Sequence, residues 1–205
     1  MYPIVRESTR DKLIRNAYEL FYSYGFHAVG LSQIIQKAGV TKGTFYNHFE
    51  SKEALIAAVL EWRDASWPAN LRATLRKHAG DRPRDQLMVV FDVHDEIWET
   101  DSYHGCLFIR ASAEFPLPHD PIHVIVQDFV RDFGTALREL AGYAGAEDPE
   151  GLSRELLVLM AGIYTQSQMG DPFNAVETGK RLAKRVLAQS LPSHDAKANN
   201  HLVAK

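Results

Sequence analysis

The feature that most constrains the fold is the spacing of the apolar residues, which is helical along almost the whole chain. Apolar residues recur three or four positions apart, as at Leu13, Ala17 and Leu20, and no stretch alternates in the way that a half-buried strand requires. The chain has 205 residues, of which 45% are hydrophobic and 24% charged, so it can bury a large core. We therefore expect an all-α protein.

Capping residues predict where the first helices begin and end. Ser8, followed three residues later by Asp11, has a capping-box pattern and starts a helix that runs to Gly25. A short helix follows at about 32–38, another comes after the next turn, and Ser51 caps a long helix.

Asp–Pro pairs predict the later helix starts. At 120–121, 148–149 and 171–172, a capping carboxylate precedes a proline in the first helical position. The later helices are predicted at about 52–78, 84–99, 103–114, 121–144, 149–169 and 172–190, with a disordered tail over 191–205.

Composition also bounds the cellular location. No apolar run approaches the roughly 20 residues of a membrane-spanning helix, and the N-terminus becomes charged too early for a signal peptide. The single Cys106 excludes an intramolecular disulfide. We expect a cytoplasmic protein with no membrane partner.

Charge is distributed unevenly. Residues 1–52 hold seven Lys or Arg and four acids, a net +3, whereas the rest of the chain holds 16 basic and 22 acidic groups, a net −6. A basic N-terminal region is compatible with a polyanionic partner, although a solvated face of mixed charge explains it as well.

The stretch "VTKGTFYNHFESK" suggests what that partner is. Two short helices joined by a glycine-containing turn form a helix-turn-helix, whose second helix lies in the DNA major groove. At about 100° per residue, Phe45 and Phe49 face inward while Gly43 and Asn47 face outward. An asparagine can pair with adenine, and a glycine lets the backbone approach a base edge. The alternative is that these are ordinary surface residues of a small helical subdomain.

The segment "AGVTKGTFYNHFESKEAL" resembles the tetracycline repressor (TetR) family of bacterial transcription regulators, and the similarity extends from the first helix to about residue 60. The resemblance implies a three-helix DNA-binding head, an all-α ligand-binding body and a homodimer that releases operator DNA when a small molecule binds. By position it places DNA contacts at Thr41, Lys42, Gly43, Thr44, Tyr46, Asn47 and His48, and a phosphate contact at Lys52. Gly30 and Leu31 depart from the family's capping Ser or Thr, which leaves Ser32 and Gln33 as weaker candidates.

The resemblance also divides the chain by function. A helix-turn-helix domain is expected over residues 1–50 and a ligand-binding and dimerisation domain over 51–190, ahead of the tail. The ligand pocket of such regulators lies between body helices, where aromatic and polar side chains are the natural candidates. These candidates are Trp62, Trp98, Tyr103, Cys106, Phe108, Phe129, Tyr164 and Gln168, although most such aromatic residues serve as core.

The last two predicted helices carry apolar and small residues at helical spacing. Their pairing with a second copy follows from the resemblance and from the two-fold symmetry of a palindromic operator. The residues predicted for this interface are Leu156, Met160, Ile163, Gly179, Leu182, Ala183 and Val186.

A metal site and a catalytic site are both disfavoured. His119, Asp120 and His123 have a spacing that could bind zinc or copper, but the prolines and the capping role of Asp120 explain the segment without a metal. No catalytic motif is present. We expect no cofactor other than an unidentified small-molecule effector.

The hypothesis from sequence is a homodimeric repressor that a small molecule releases from a palindromic operator in double-stranded DNA. Control by a protein partner or by oxidation of Cys106 remains an alternative, and an enzyme of an unrecognised class is a further one.

Overall fold

The structure is a computed structural model that describes residues 7–98, 104–170 and 173–192, without the side chains of 66–70 and 93–98. This part of the chain consists of helices and loops, so the predicted all-α class is confirmed. The helices are α1 (Thr9–Tyr24), α2 (Leu31–Ala38), α3 (Lys42–Tyr46), α4 (Lys52–Ala79), α5 (Pro83–Trp98), α6 (Leu107–Glu114), α7 (Pro121–Tyr143), α8 (Pro149–Gln168) and α9 (Ala175–Ser190).

Side-chain caps start several of these helices as predicted. The Ser8 hydroxyl accepts a hydrogen bond from the Asp11 N–H at 3.1 Å and donates one to the Asp11 carboxylate at 2.7 Å. Asp148 accepts from the Gly151 N–H at 2.9 Å at the start of α8. Each cap satisfies a backbone donor that has no partner within its helix.

Two helices begin later than predicted. α6 was expected from residue 103 but starts at Leu107, because Gly105 has φ 92° and Cys106 is extended. α9 was expected from 172 but starts at Ala175, where Asn174 is left-handed (φ 53°) and caps the Glu177 N–H. The Asp171–Pro172 pair lies outside the described residues.

The predicted disordered tail begins with an ordered residue. Leu191 is buried, and an Arg84 guanidinium nitrogen donates to the Pro192 carbonyl at 2.6 Å. Leu191 is thus packed at the end of α9, and a disordered tail after it stays a prediction. The remainder, 193–205, lies outside the described residues.

The chain forms two compact units. The first contains the described residues up to Pro68 together with His104–Phe129, which include α1, α2, α3 and α6. Its core is aromatic and aliphatic, and includes Phe21, Phe26, Phe45, Leu55, Val59 and Phe108. These side chains hold the three N-terminal helices against the first part of α4.

The second unit contains the described residues from Ala69 onward, apart from those in the first unit. α9 packs against α8 and α5 within it. The ammonium group of Lys180, a nearly buried residue of α9, lies 3.2 Å from the Asp92 carboxylate of α5. No helix of the described residues is long and apolar enough to cross a membrane.

Candidate nucleic-acid interface

α2 and α3 form the predicted helix-turn-helix. α2 ends at Gly39, whose backbone is left-handed (φ 60°), a conformation that a glycine adopts without strain. The Gly39 and Val40 N–H groups then bond carbonyls of α2 and close its last turn. Thr41 caps α3 by accepting from the Thr44 N–H at 3.0 Å.

The inward face of α3 is the one predicted from its spacing. Phe45 and Phe49 are buried, with ring centroids 5.9 Å apart, and Phe45 belongs to the core of the first unit. The Arg10 guanidinium lies 5.2 Å from the centroid of the Phe49 ring. These contacts fix the rotation of α3 about its own axis, and so fix which residues face solvent.

The opposite side of α3 is open. Lys42, Gly43, Asn47 and His48 are exposed, Tyr46 is 48% exposed, and the Lys42 ammonium lies 5.9 Å from the Tyr46 ring centroid. A Cβ on Gly43 would meet only the Thr41 hydroxyl, at an ordinary 3.8 Å. Packing within the described part of the chain therefore does not require glycine at position 43, and a close approach of its backbone to DNA stays a prediction.

Most of the remaining residues predicted to contact DNA are exposed, but several of their polar groups already form hydrogen bonds within the chain. Ser32, Gln33 and Thr41 are exposed and Thr44 is half-buried. The Gln33 side-chain oxygen accepts from the Gly30 N–H at 2.7 Å and so satisfies the backbone donor just before α2. The hydroxyls of Thr41 and Thr44 bond each other at 2.8 Å.

Lys52 is placed differently from expectation. Its ammonium donates to the carbonyl oxygens of Phe26 and Val29, both at 3.1 Å, in the turn between α1 and α2. An ammonium has three donors, and this geometry uses two of them on the chain itself. In this structure Lys52 thus holds the turn, and a phosphate contact by Lys52 stays a prediction.

Part of the basic charge of the N-terminal region is neutralised internally. Arg15 forms two hydrogen bonds to Glu7, which lower the pKa of that carboxyl, and Lys37 lies 3.0 Å from Glu19. The net +3 of this region already includes these two pairs, because each contributes one positive and one negative charge.

Two functional candidates were missed in the sequence, namely Arg110 and Glu114 of α6. Arg110 donates to the carbonyls of Phe21 and Tyr22 at the end of α1, and Glu114 accepts from backbone N–H groups in the α1–α2 turn. These contacts join residues that are 87 to 89 positions apart, so no local sequence pattern predicts them.

The predicted ligand-binding residues do not all lie in one unit. Trp62, Cys106, Phe108 and Phe129 belong to the first unit, and Tyr164 and Gln168 of α8 belong to the second. The Tyr103 residue and the Trp98 side chain lie outside the described parts of the chain. The single pocket that was expected to unite these residues remains a prediction.

Three of these side chains make aromatic contacts, and two of the three contact each other. The rings of Phe108 and Phe129 stack face to face with centroids 3.7 Å apart, and Trp62 meets Tyr18 edge-on at 5.4 Å. Burial raises the pKa of the Cys106 thiol. An aromatic pair in mutual contact is what the core interpretation of Phe108 and Phe129 predicts.

Most residues predicted for the dimer interface are buried within the single chain, and their place in a dimer stays a prediction. The single chain already buries most of them in the packing of α8 on α9, because the same apolar spacing serves a core and an interface equally well. Leu156, Met160, Ile163, Gly179 and Ala183 are buried, while Leu182 is 38% exposed and Val186 is half-buried.

Other apolar residues, on α8 and directly after its last residue, are exposed to solvent. Val158 and Met169 are 72% and 70% exposed, and Gly162, between them in sequence, is also exposed. At spacings of four and seven residues they lie on one side of the helix.

The histidines considered for a metal have structural contacts. His123 Nδ1 lies 2.8 Å from the Phe115 carbonyl, and Asp120 accepts from the Ile122 N–H at 2.8 Å. Among residues 7–98, 104–170 and 173–192, no three or more His, Cys, Asp or Glu side chains are arranged to hold a metal ion.

Sequence comparisons agree with the geometry of the head. Residues 13–59 match the family model described as bacterial regulatory proteins, tetR family. The HTH-type transcriptional repressor NemR of Escherichia coli K12 is 33% identical over 107 residues, which are 52% of this chain and 53% of NemR. The HTH-type transcriptional activator FasR of Mycolicibacterium smegmatis is 37% identical over 79 residues, 38% of this chain and 36% of FasR. The matches thus span about half the length of NemR and about a third of FasR.

Structural similarity extends over most of the chain. A TetR-family regulator from Streptomyces coelicolor has a TM-score of 0.78 at 29% identity, covering 89% of this chain and 95% of that one. The reduced form of NemR, at 24% identity, also has a TM-score of 0.78 over 86% of this chain and 95% of its own, and so shares the fold. The match at the head and the fold beyond it agree: residues 13–59 belong to the tetR family of bacterial regulatory proteins, and most of the chain has the fold of a TetR-family regulator.

Proposed function

We propose that the protein is a dimeric transcriptional repressor that binds operator DNA through α3 and leaves it when a small molecule binds. The observation that carries this proposal is the two-sidedness of α3. Phe45 and Phe49 are buried, while Gly43, Tyr46 and Asn47 are turned to solvent at a place where packing does not require them. A recognition helix needs this arrangement, since one face fixes it and the other reads base edges.

Each exposed group has a task against DNA. Asn47 suits the N6 and N7 positions of adenine, and the small volume of Gly43 lets the backbone approach the groove. Lys42 and Tyr46, which lie together at the start and end of α3, suit phosphate oxygens. Ser32, Gln33, Thr41, Thr44 and His48 complete the predicted contact surface.

A second copy is needed for the operator. Two recognition helices separated by about one DNA turn, roughly 34 Å, require a two-fold dimer. We place the dimer contact on α8 and α9 at their exposed apolar residues, namely Val158, Gly162 and Met169 on one side of α8 and Leu182 on α9.

The proposed release mechanism depends on differential binding. An effector that binds better to a conformation with a different separation of the two α3 helices shifts the dimer toward that conformation and weakens operator binding. α4 begins directly after the DNA-binding region and ends at Ala79, so it is the helix that we expect to transmit the change.

Repression is proposed as the sign of regulation because NemR, whose match covers 52% of this chain, is a repressor. The shorter match, to the activator FasR, covers 38% of this chain and favours the opposite sign. Neighbouring genes and a thermal-shift screen of small molecules would identify the effector, because a ligand that binds the folded state raises its melting temperature.

The deciding experiment is selection of duplexes by the purified protein from a randomised pool, followed by binding at several salt concentrations. We expect one enriched palindrome, bound with an affinity that falls steeply as salt rises. Enrichment of no sequence, together with weak binding that is equal for all duplexes, would contradict the proposal.

A further inference from the structure

The turn between α1 and α2, residues 25–30, is held by charged side chains from two other helices. The Glu114 carboxylate of α6 accepts from the N–H groups of Phe26 and His27 at 3.0 and 2.6 Å. The Lys52 ammonium of α4 donates to the carbonyls of Phe26 and Val29. The backbone N–H groups of the turn are thus bonded to α6, and its carbonyl groups are bonded to α4.

Phe26 is where the two contacts meet. The Glu114 carboxylate accepts from the Phe26 N–H, and the Lys52 ammonium donates to the Phe26 carbonyl. Each charged group therefore faces the end of a backbone dipole that has the opposite sign, and both hydrogen bonds are charge-assisted. The Phe26 side chain is fully buried beside Phe21, with ring centroids 5.2 Å apart. A displacement of Glu114 therefore moves a residue of the head's core.

Two further features tie α6 to the turn and to the end of α1 before it. Arg110, one helical turn before Glu114, donates to the carbonyls of Phe21 and Tyr22 at 3.2 and 2.7 Å. Gly25 has φ 89°, and a Cβ there would lie 2.8 Å from a Glu114 carboxylate oxygen. The close approach of the carboxylate needs the glycine for its space as well as for its backbone conformation.

Lys52 links the turn to the recognition helix. It is the first residue of α4 and follows the end of α3 at Tyr46 by six positions. Phe45 of α3 and Phe26 of the turn are fully buried in the same core. The position of α3 is thus constrained from the turn through both the core and the Lys52 hydrogen bonds.

We propose that Glu114 and Arg110 are positioning residues for DNA binding: from α6 Glu114 holds the α1–α2 turn and Arg110 holds the end of α1, and through the shared core and Lys52 they set the position of α3. This inference rests on the proposed function. It gives α6 a direct effect on how well α3 fits a specific sequence, with no contact between α6 and DNA.

The specificity of DNA binding is the readout that separates positioning from charge. Glu114→Gln removes a negative charge, so an electrostatic role alone would strengthen binding to every duplex. Positioning predicts instead that affinity for the duplex selected by the unmodified protein falls about tenfold, while affinity for a scrambled duplex is unchanged or slightly higher.

Glu53→Gln is the matched control, because Glu53 is an exposed carboxylate beside Lys52 on α4. Its removal should change binding to both duplexes by the same factor. An equal change on both duplexes for Glu114→Gln would overturn the proposal. Should Glu114→Gln fail to fold, Arg110→Met answers the same question, since it removes the other contact of α6 with α1.

A measurement without DNA keeps this inference separate from the proposed function. Amide hydrogen exchange of the DNA-free protein should become faster in Glu114→Gln both over residues 26–30 and over residues 42–47 of α3. Faster exchange confined to 26–30 would overturn the link to α3. If the unmodified protein selects no duplex, the proposed function fails, and hydrogen exchange alone decides whether Glu114 positions α3.

Discussion

Gly179 of α9 lies so close to Ile163 of α8 that a Cβ added to the glycine would be 2.2 Å from the Ile163 Cδ1 atom. Both residues are buried. The absence of a side chain at Gly179 therefore lets the two helices approach, and Ile163 fills the space above the glycine backbone.

Gly179→Ala should destabilise the fold. The new methyl group has to displace a buried isoleucine whose branched side chain has few rotamers in a helix, at a cost of about 1–3 kcal/mol. Urea unfolding followed by circular dichroism at one fixed protein concentration measures the change. Gly142→Ala on α7 is the control, because its Cβ would lie 3.9 Å from the nearest atom, Pro149 Cγ. Equal unfolding midpoints for the two variants would show that Ile163 gives way at no cost.

Val158→Glu should separate the proposed dimer without unfolding the chain. Val158 is 72% exposed on α8, so glutamate fits the monomer but places a like charge on both copies at a two-fold contact. Light scattering after gel filtration should give the mass of one chain instead of two.

Val130→Glu is the matched control for the dimer test, since Val130 is 48% exposed on α7 and lies outside the proposed contact. It should leave the mass unchanged. A monomeric unmodified protein, or equal dissociation by both variants, would count against the assigned surface.

The seam between α8 and α9 shows why the sequence predicted some features and not others. The spacing of apolar residues predicted that Leu156, Met160 and Ala183 are covered in a dimer, but spacing carries no information on which chain covers such a face. The structure buries them within one chain. The Phe45 and Phe49 prediction succeeded because the partner of α3 is local, being the core of the same head.

Local chemistry predicted the helix starts for the same reason. Ser8 and Asp148 cap donors within three residues, which a sequence pattern displays directly. Glu114 bonds residues 87 and 88 positions away, and Lys52 turns to carbonyls instead of a phosphate, so neither contact has a local signature. Such contacts follow from how the helices pack.

Asn47→Ala and Lys42→Ala should weaken DNA binding in different ways. Asn47→Ala removes a base contact, so affinity for the selected duplex should fall by about 1–3 kcal/mol while discrimination at one position of each half-site is lost. Lys42→Ala removes a phosphate contact and should weaken all duplexes. The slope of log affinity against log salt should then decrease by about one unit per subunit. Fluorescence anisotropy with the selected and scrambled duplexes at several salt concentrations measures both effects.

The assignment of these roles depends on the contrast between the two variants. If Asn47→Ala reduces binding to scrambled DNA as much as to the selected duplex, Asn47 does not read a base. An unchanged salt slope in Lys42→Ala would mean that its ammonium stays on the Tyr46 ring, which it approaches in the free protein, and does not reach a phosphate.

Cys106 should react slowly in the folded protein, which bears on control by oxidation. Burial raises the pKa of its thiol, and hydrogen bonds from the backbone of Ile109 and Phe108 offset only part of this. A raised folded-state pKa favours the protonated form, so this contribution to stability is present below the unfolded-state pKa and is lost as pH rises through the folded-state pKa.

Because the thiolate is the nucleophile, alkylation by iodoacetamide at about pH 8 should be at least about tenfold slower in native protein than in urea. A native rate equal to or above the rate in urea would favour Cys106 oxidation over a small-molecule effector. A slow rate, with operator binding unaffected by mild peroxide, would leave the effector as the better explanation.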